Sequence, residues 1–291
     1  MKPPIFDYAT PASVAEAIAL LARYEGEAKL LSGGQSLVPL LNMRLARPAV
    51  LVDLARIAAL DWVRVADGVV AIGAMTRQRT VELAPEVQER HPLLHAGLQL
   101  IAHPQNRNQG TIGGSLAHAD PAAELPALAV ALDASFEAAG PEGTRTVAAA
   151  DFFLTYLTTA LAATEILTSV RFPMLPARTG WAIQEVARRH GDFALAGVVA
   201  VVGLALSGAI SRARVVLYGV GATPVRAAAA ERLLEGHVAD AALLASASAQ
   251  AAADLEEPLT DVHASADYRR DLARVLVGRA LAEAMTRAHA A

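Results

Sequence analysis

"LLSGGQSL", residues 30–37, sets two adjacent glycines between a short apolar run and a small hydroxyl residue, and "QGTIGGSLAHAD", residues 109–120, repeats the device. Glycine inside regular structure costs about 0.5–1 kcal/mol relative to alanine. A pair therefore marks a place where φ must be positive or where another group has to touch the backbone. Each stretch reads as a strand, a Gly-Gly turn and then a polar or hydroxyl residue, Gln35-Ser36 in the first and Ser115 in the second. Exposed N–H groups in such a turn, with a helix beginning behind it, form an anion nest. Two nests predict a ligand with two phosphates, a dinucleotide. Either pair alone reads equally well as a tight turn, and with 20 glycines in 291 residues chance pairs are common.

The segments around the first pair predict a small β-α-β unit over residues 1–55. Ser13-Val-Ala-Glu16 is a capping box, and Val14, Ala17, Ile18 and Leu21 repeat at helical spacing until Gly26. Lys29–Leu31 reads as a strand, Ser36–Asn42 as a helical turn and Val50–Leu54 as a second strand. From residue 56 the texture changes. "VRVADGVVAIG" is a hairpin turning at Asp67-Gly68, helices are predicted near Arg79–Leu83 and Pro92–Ala102, and 103–108 reads as a polar loop. Pro121–Leu132 reads as a helix broken or restarted at Pro126, and Ser135–Ala138, Thr144–Val147 and Ile166–Phe172 as strands. Pro173, Pro176 and Gly180 mark a connection. Beyond it come a strand at Trp181–Val186, a long apolar run over 194–206, a turn at Ser207-Gly208 and a strand at Ala213–Tyr218, then an Ala- and Leu-rich helical end. The expected fold is α+β: residues 1–176 as one domain in two subdomains, 1–55 and an antiparallel α+β unit over 56–176, followed by an antiparallel sheet with helices over 177–291.

Composition narrows the function. The 25 basic and 29 acidic residues nearly cancel with no like-charge block, which leaves no footprint for nucleic acid or an anionic membrane. Zero cysteines excludes thiolate nucleophiles and any iron–sulfur cluster held by this chain's own thiolates. The apolar run Ala194–Leu206 falls short of the roughly 20 residues that span a bilayer. The start, "MKPPIFDYATPAS", has no signal-peptide core, so the expectation is a cytoplasmic protein with no membrane span. His91 and His95 lack a metal motif, and Ser36, His118 and Asp120 lack the G-x-S-x-G elbow of a hydrolase, so neither a metal site nor a catalytic triad is predicted. Arg77, Arg79, Arg188 and Arg189 read as solvated charges. No G-x-G-x-x-G follows a strand and no P-loop is present; the G-x-G at Gly219–Gly221 runs into Thr223-Pro224. A bound nucleotide needs another device.

"KLLSGGQSLVPLLNMRL", "QGTIGGSLAHADPAAELPALAVALDA" and "ARRHGDFALAGV" together resemble the FAD-binding medium subunits of the molybdenum hydroxylases, which include carbon monoxide dehydrogenase and the bacterial relatives of xanthine dehydrogenase. The resemblance covers essentially the whole chain. It implies a two-subdomain FAD domain followed by a C-terminal domain of sheet and helices. It also implies non-covalent FAD wrapped by Leu30, Leu31, Ser32, Gly33, Gly34, Gln35, Ser36 and Leu37, with a second nest at Thr111, Ile112, Gly113, Gly114 and Ser115. Ile101, His118, Asp120, Glu124, Leu167, Asp192 and Phe193 are the further cofactor contacts it implies. Phe193 reads as well as an ordinary core phenylalanine. Family members often carry a lysine shortly before the paired arginines, where this chain has Gln184-Glu185.

The implied role is electron transfer in an oxidoreductase complex, with no catalytic residue in this chain. A small subunit with two [2Fe–2S] clusters and a large molybdopterin subunit would be the partners, in a heterotrimer that is itself doubled. The rival readings are a stand-alone FAD oxidase or reductase of the same broad fold, and a non-enzymatic interaction protein in which both glycine pairs are empty turns.

Overall fold

Three short strands pair in parallel to open the chain, in the order β1-β3-β2: β1 (Asp7–Ala9), β2 (Ala28–Leu31) and β3 (Val50–Asp53). The structure, a computed structural model, describes residues 2–291. Between these strands lie α1 (Val14–Arg23) and α2 (Leu37–Asn42). The Ser13 side chain accepts from the Glu16 N–H, and the Glu16 carboxylate reaches back to the Ala12 N–H at 2.8 Å, which caps α1 as the sequence pattern requires. Ala17 and Leu21 of α1 pack with Ala28, Val50 and Val52 to form the small core beneath this sheet.

The next sheet is five-stranded and wholly antiparallel, in the order β4-β5-β10-β6-β7. It contains β4 (Val63–Ala66), β5 (Val69–Gly73), β6 (Ser135–Gly140), β7 (Gly143–Ala148) and β10 (Ile166–Pro173). Asp67 and Gly68 both take positive φ, +51° and +72°, as a tight two-residue hairpin demands. Six helices come between β5 and β6: α3 (Gln78–Leu83), α4 (Pro85–Arg90), α5 (Pro92–Leu100), α6 (Pro104–Gln109), α7 (Ile112–His118) and α8 (Glu124–Ala131). Before β10 stand α9 (Ala149–Phe152) and the ribbon β8 (Phe153–Thr155) with β9 (Thr158–Thr159).

The last sheet runs β11 (Thr179–Ala187), β12 (Ala194–Leu204), β13 (Ile210–Tyr218) and β14 (Val225–Arg226), again antiparallel. It is followed by α10 (Ala228–Leu234), α11 (Ala241–Ala253) and α12 (Ala266–Ala290). The long apolar run of the sequence is β12, buried on both faces. Ala196, Val198, Ala200 and Val202 join the core beneath α10–α12, while the alternate residues Val199 and Val201 are buried on the opposite face. By chain contacts the molecule forms two compact units. The first comprises residues up to Glu89, 103–119 and 134–173; the second comprises 90–102, 120–133 and 174–291, so it includes α5 and α8. Among the described residues no helix is long and apolar enough to cross a membrane.

Three sequence expectations are corrected. The polar stretch 103–108 is not a loop but the body of α6, entered through Pro104 at the first helical position. Pro126 does not break its helix, because it falls in the first turn of α8, where its missing N–H costs nothing. The second glycine pair does not follow a strand: Thr111 makes only an isolated bridge to Arg77, and Gly113-Gly114 lie in the first turn of α7.

Candidate functional site

In the first unit the two glycine pairs lie against each other. A Cβ on Gly33 would stand 2.3 Å from the Gln109 carbonyl oxygen and 2.7 Å from the Gly110 Cα, so only glycine allows this backbone seam. A Cβ on Gly114 would meet Thr111 Oγ1 at 2.7 Å and the Ser32 side chain at 3.2 Å. Ser32 and Thr111 share a hydroxyl–hydroxyl hydrogen bond of 2.5 Å, and the Ser32 hydroxyl donates to Met75 Sδ at 3.0 Å. Gln35 bonds across to Asn106 at 3.2 Å and back to its own loop at Gly33 O. Only Gly34 of the four glycines takes positive φ, +70°. The other three are required by close approach rather than by backbone conformation.

The two loops differ in what they offer a ligand. In the second, Ile112 N donates to Thr76 O, Gly113 N to Ala74 O, Gly114 N to Thr111 Oγ1 and Ser115 N to Thr111 O. Its backbone donors are thus spent on the protein, and the expected second nest of free N–H groups is not what the geometry shows. In the first loop, the N–H groups of Gly33, Gly34, Gln35 and Ser36 have no protein acceptor among the described residues. A row of free donors in a half-buried turn fits an anionic group such as a phosphate. The second loop supplies the wall against which that row is held.

Of the remaining expected contacts in this unit, His118 ends α7, and Leu167 is buried in β10 beside a bulge against β6. Sequence reasoning missed the supports. Arg77 and Arg79 are not free surface charges: the Arg77 guanidinium donates to the Gln109 carbonyl, and Arg79 bonds Glu82 at 2.8 Å. Arg107 of α6 forms a two-pronged pair with Glu82 of α3, Nε–Oε2 at 2.7 Å and Nη2–Oε1 at 3.1 Å, and both side chains are buried. Burial pushes the Glu82 carboxyl up, but the hydrogen bonds and charges of Arg107 and Arg79 outweigh it and hold the group below the usual carboxylate range.

Comparison with known proteins decides the family. Residues 4–175 match the family described as FAD binding domain in molybdopterin dehydrogenase, and residues 181–284 match the CO dehydrogenase flavoprotein C-terminal domain. The chain belongs to the FAD-binding medium subunits of the molybdenum hydroxylases. It is 42% identical over 288 residues to 6-hydroxypseudooxynicotine dehydrogenase complex subunit alpha of Paenarthrobacter nicotinovorans, covering 99% of this chain and 97% of that one. It is also 42% identical over 287 residues to the carbon monoxide dehydrogenase medium chain of Hydrogenophaga pseudoflava, 99% of each. A solved structure of carbon monoxide dehydrogenase from Hydrogenophaga pseudoflava superposes with a TM-score of 0.95 at 43% identity, covering 99% of each chain. The α+β architecture and the oxidoreductase class read from the sequence are those of this family.

The second unit of this medium subunit holds the other expected residues, in separate places. Ile101 caps the C-terminus of α5. Asp120 Oδ1 accepts from the Ala122 N–H at 2.9 Å, which shapes the turn into α8. Asp192 pairs with Arg189 at 3.1 Å, and Phe193 beside it is 60% exposed, which rules out an ordinary core phenylalanine within this chain. Where the resemblance implied a lysine, Gln184 bonds Glu283 at 2.6 Å, and Glu185 accepts from the Tyr218 hydroxyl at 2.9 Å. Burial pushes the Glu185 carboxyl up against the pull of that hydrogen bond. Burial also drives the Tyr218 hydroxyl well above its ordinary range, reinforced by the charges of Glu185 and Glu124.

Proposed function

We propose that this medium subunit carries non-covalent FAD and moves electrons within a three-subunit molybdenum hydroxylase, taking them from a [2Fe–2S] cluster on a small partner and delivering them to an external acceptor. The observation that carries the reading is the row of free N–H groups at Gly33–Ser36, in a chain whose first domain belongs to an FAD-binding family. Leu30 to Leu37 hold the pyrophosphate end of the cofactor. Thr111 to Ser115 brace that loop, with His118 and Leu167 in the same unit. Ile101, Asp120, Glu124, Asp192 and Phe193 enter the cofactor reading on the family resemblance alone. FAD, when bound, supplies the exchange between paired and single electrons that no side chain here can perform. Residues 1–176 serve as the FAD-binding domain and 177–291 as the C-terminal domain.

Molybdopterin and iron–sulfur clusters belong to the partners in this reading, since the sequence holds no cysteine to ligate a cluster. The large molybdopterin partner selects the substrate. Two relatives equally similar to this chain, at 42% identity, serve complexes named for 6-hydroxypseudooxynicotine and for carbon monoxide, so the medium chain does not track what is oxidised. The test is anaerobic mixing of the FAD-loaded chain with a chemically reduced small subunit. Rapid loss of the flavin absorbance band is expected. A flavin that stays oxidised in a formed complex, or a purified chain that takes up no FAD, sinks the proposal.

A further inference from the structure

The seam between the two glycine loops depends on where Gln109 and Gly110 sit, and these residues end α6, whose sequence is Pro-Gln-Asn-Arg-Asn-Gln. Apart from Pro104 that helix has no apolar residue, so the hydrophobic packing that fixes most helices is missing here. Its buried side chain is Arg107. Side-chain exposure is 7% for Arg107 and 6% for Glu82, and the planar guanidinium meets the carboxylate through two parallel hydrogen bonds. Such a fork fixes direction as well as distance, which a point charge does not. Glu82 is held in turn by Arg79 at 2.8 Å, while Gln88 Nε2 donates to the Glu82 backbone oxygen at 3.0 Å.

From this pair a chain of contacts leads to the free donors of the first loop. Gln78 N donates to Gly110 O at 2.9 Å, Gly110 N to Asn106 O at 2.6 Å, and Arg77 to Gln109 O. Gln109 O is the atom that a Cβ on Gly33 would strike. We propose that Arg107 and Glu82 are positioning residues for the cofactor: by anchoring α6 to α3 they set the spacing of the two glycine loops, and through it the affinity and flavin selectivity of the cradle, without touching the ligand. The inference rests on the reading of that cradle as the FAD site.

A merely structural ion pair lowers the melting midpoint but leaves the dissociation constant of the folded population unchanged. A positioning pair moves the dissociation constant itself. The experiment uses the full-length chain stripped of flavin, with Arg107→Lys and with the double variant Glu82→Met/Arg107→Met. The double variant replaces both buried charges by apolar groups of similar length, a change that often costs little stability. FAD and FMN dissociation constants are read by quenching of flavin fluorescence, and the melting midpoint of the flavin-free chain is read in parallel. The double variant is expected to keep a near-wild-type midpoint, bind FAD about tenfold more weakly or worse, and narrow the preference for FAD over FMN, with Arg107→Lys between it and wild type. If the double variant does not fold, Arg107→Lys carries the same test alone. Wild-type affinity and wild-type FAD-to-FMN preference in a folded variant would overturn the inference and leave the cofactor reading standing. A wild-type chain that binds no FAD would overturn both.

Discussion

Gly33 and Gly34 look alike in the sequence, yet they are required for different reasons, and substitution separates them. At Gly34 the backbone takes φ +70°, which a β-branched side chain resists. At Gly33 the conformation is ordinary and the obstacle is the Gln109 carbonyl, 2.3 Å from any added Cβ. Gly33→Ala should push the loops apart, cost about 1–3 kcal/mol by overpacking, and release FAD on gel filtration while far-ultraviolet circular dichroism is kept. A normal flavin-to-protein ratio in this variant would show that the seam is not needed for binding. Glu185 gives a second residue-level test. Its folded pKa lies above the ordinary 4.5, so the stability it contributes is complete below about pH 4.5 and is lost as pH rises through the raised pKa. Glu185→Gln keeps an acceptor for the Tyr218 hydroxyl but cannot ionise. Its melting midpoint relative to wild type should therefore climb as pH rises above about 4.5. The carboxyls of Glu82, Glu165 and Asp261, which are shifted downward, are common to both proteins and cancel in the difference. A pH-independent difference would refute the assignment.

Among the elements of the second unit, α12 lies against β11 so closely at Gly180 that a Cβ there would stand 1.8 Å from Ala284 O and 2.3 Å from Ala288 N. Neither partner is the end of a flexible side chain, so α12 must move as a body. Gly180→Ala should cost about 3 kcal/mol or more, seen as a lower urea midpoint with the first unit's cofactor chemistry otherwise intact. An unchanged midpoint would mean that α12 shifts without penalty. Elements of this kind show how far sequence carries. Helix α1 was legible because its cap and its apolar stripe agree, and β13 because Ala213–Tyr218 is a short apolar, valine-rich run bounded by a turn. The run over 194–206 showed only its length and apolarity and is strand β12 through its pairing with β11 and β13. The strand β1 was not legible, since three residues, Asp-Tyr-Ala, carry no period and are strand only through pairing with β3. Helix α6 was missed for a related reason: it is held by a buried ion pair, and a polar hexamer shows no hydrophobic face. Proline at its first position was the available signal. At the site, the glycine pairs were readable, but what they touch was not. The second loop could not be told from a nest because Thr76 and Ala74, whose carbonyls take the N–H groups of Ile112 and Gly113, lie far away in sequence.

For the whole molecule, the question is which chemistry one chain can perform by itself. The described residues present a cradle with free backbone donors, polar supports that are mutually paired, and carboxyls whose shifts are explained by salt bridges or by burial beside Tyr218. The reading of this chain as an electron-transfer subunit assigns it no proton abstraction from, and no attack on, an organic substrate. The chain is built to hold a cofactor in one geometry, and its 42% identical relatives act in complexes named for different substrates. Isolated and loaded with FAD, it should therefore be inert toward organic substrates under anaerobic conditions. The same flavin should bleach when the small iron–sulfur and large molybdopterin partners are present with the substrate that the large partner accepts. Three samples decide it: the isolated chain, the chain with the small partner alone, and the complete complex, each monitored at the flavin band after substrate addition. Bleaching confined to the complete complex places substrate oxidation outside this chain. Rapid bleaching of the isolated chain would make it a self-sufficient flavoenzyme and would require a substrate pocket of its own.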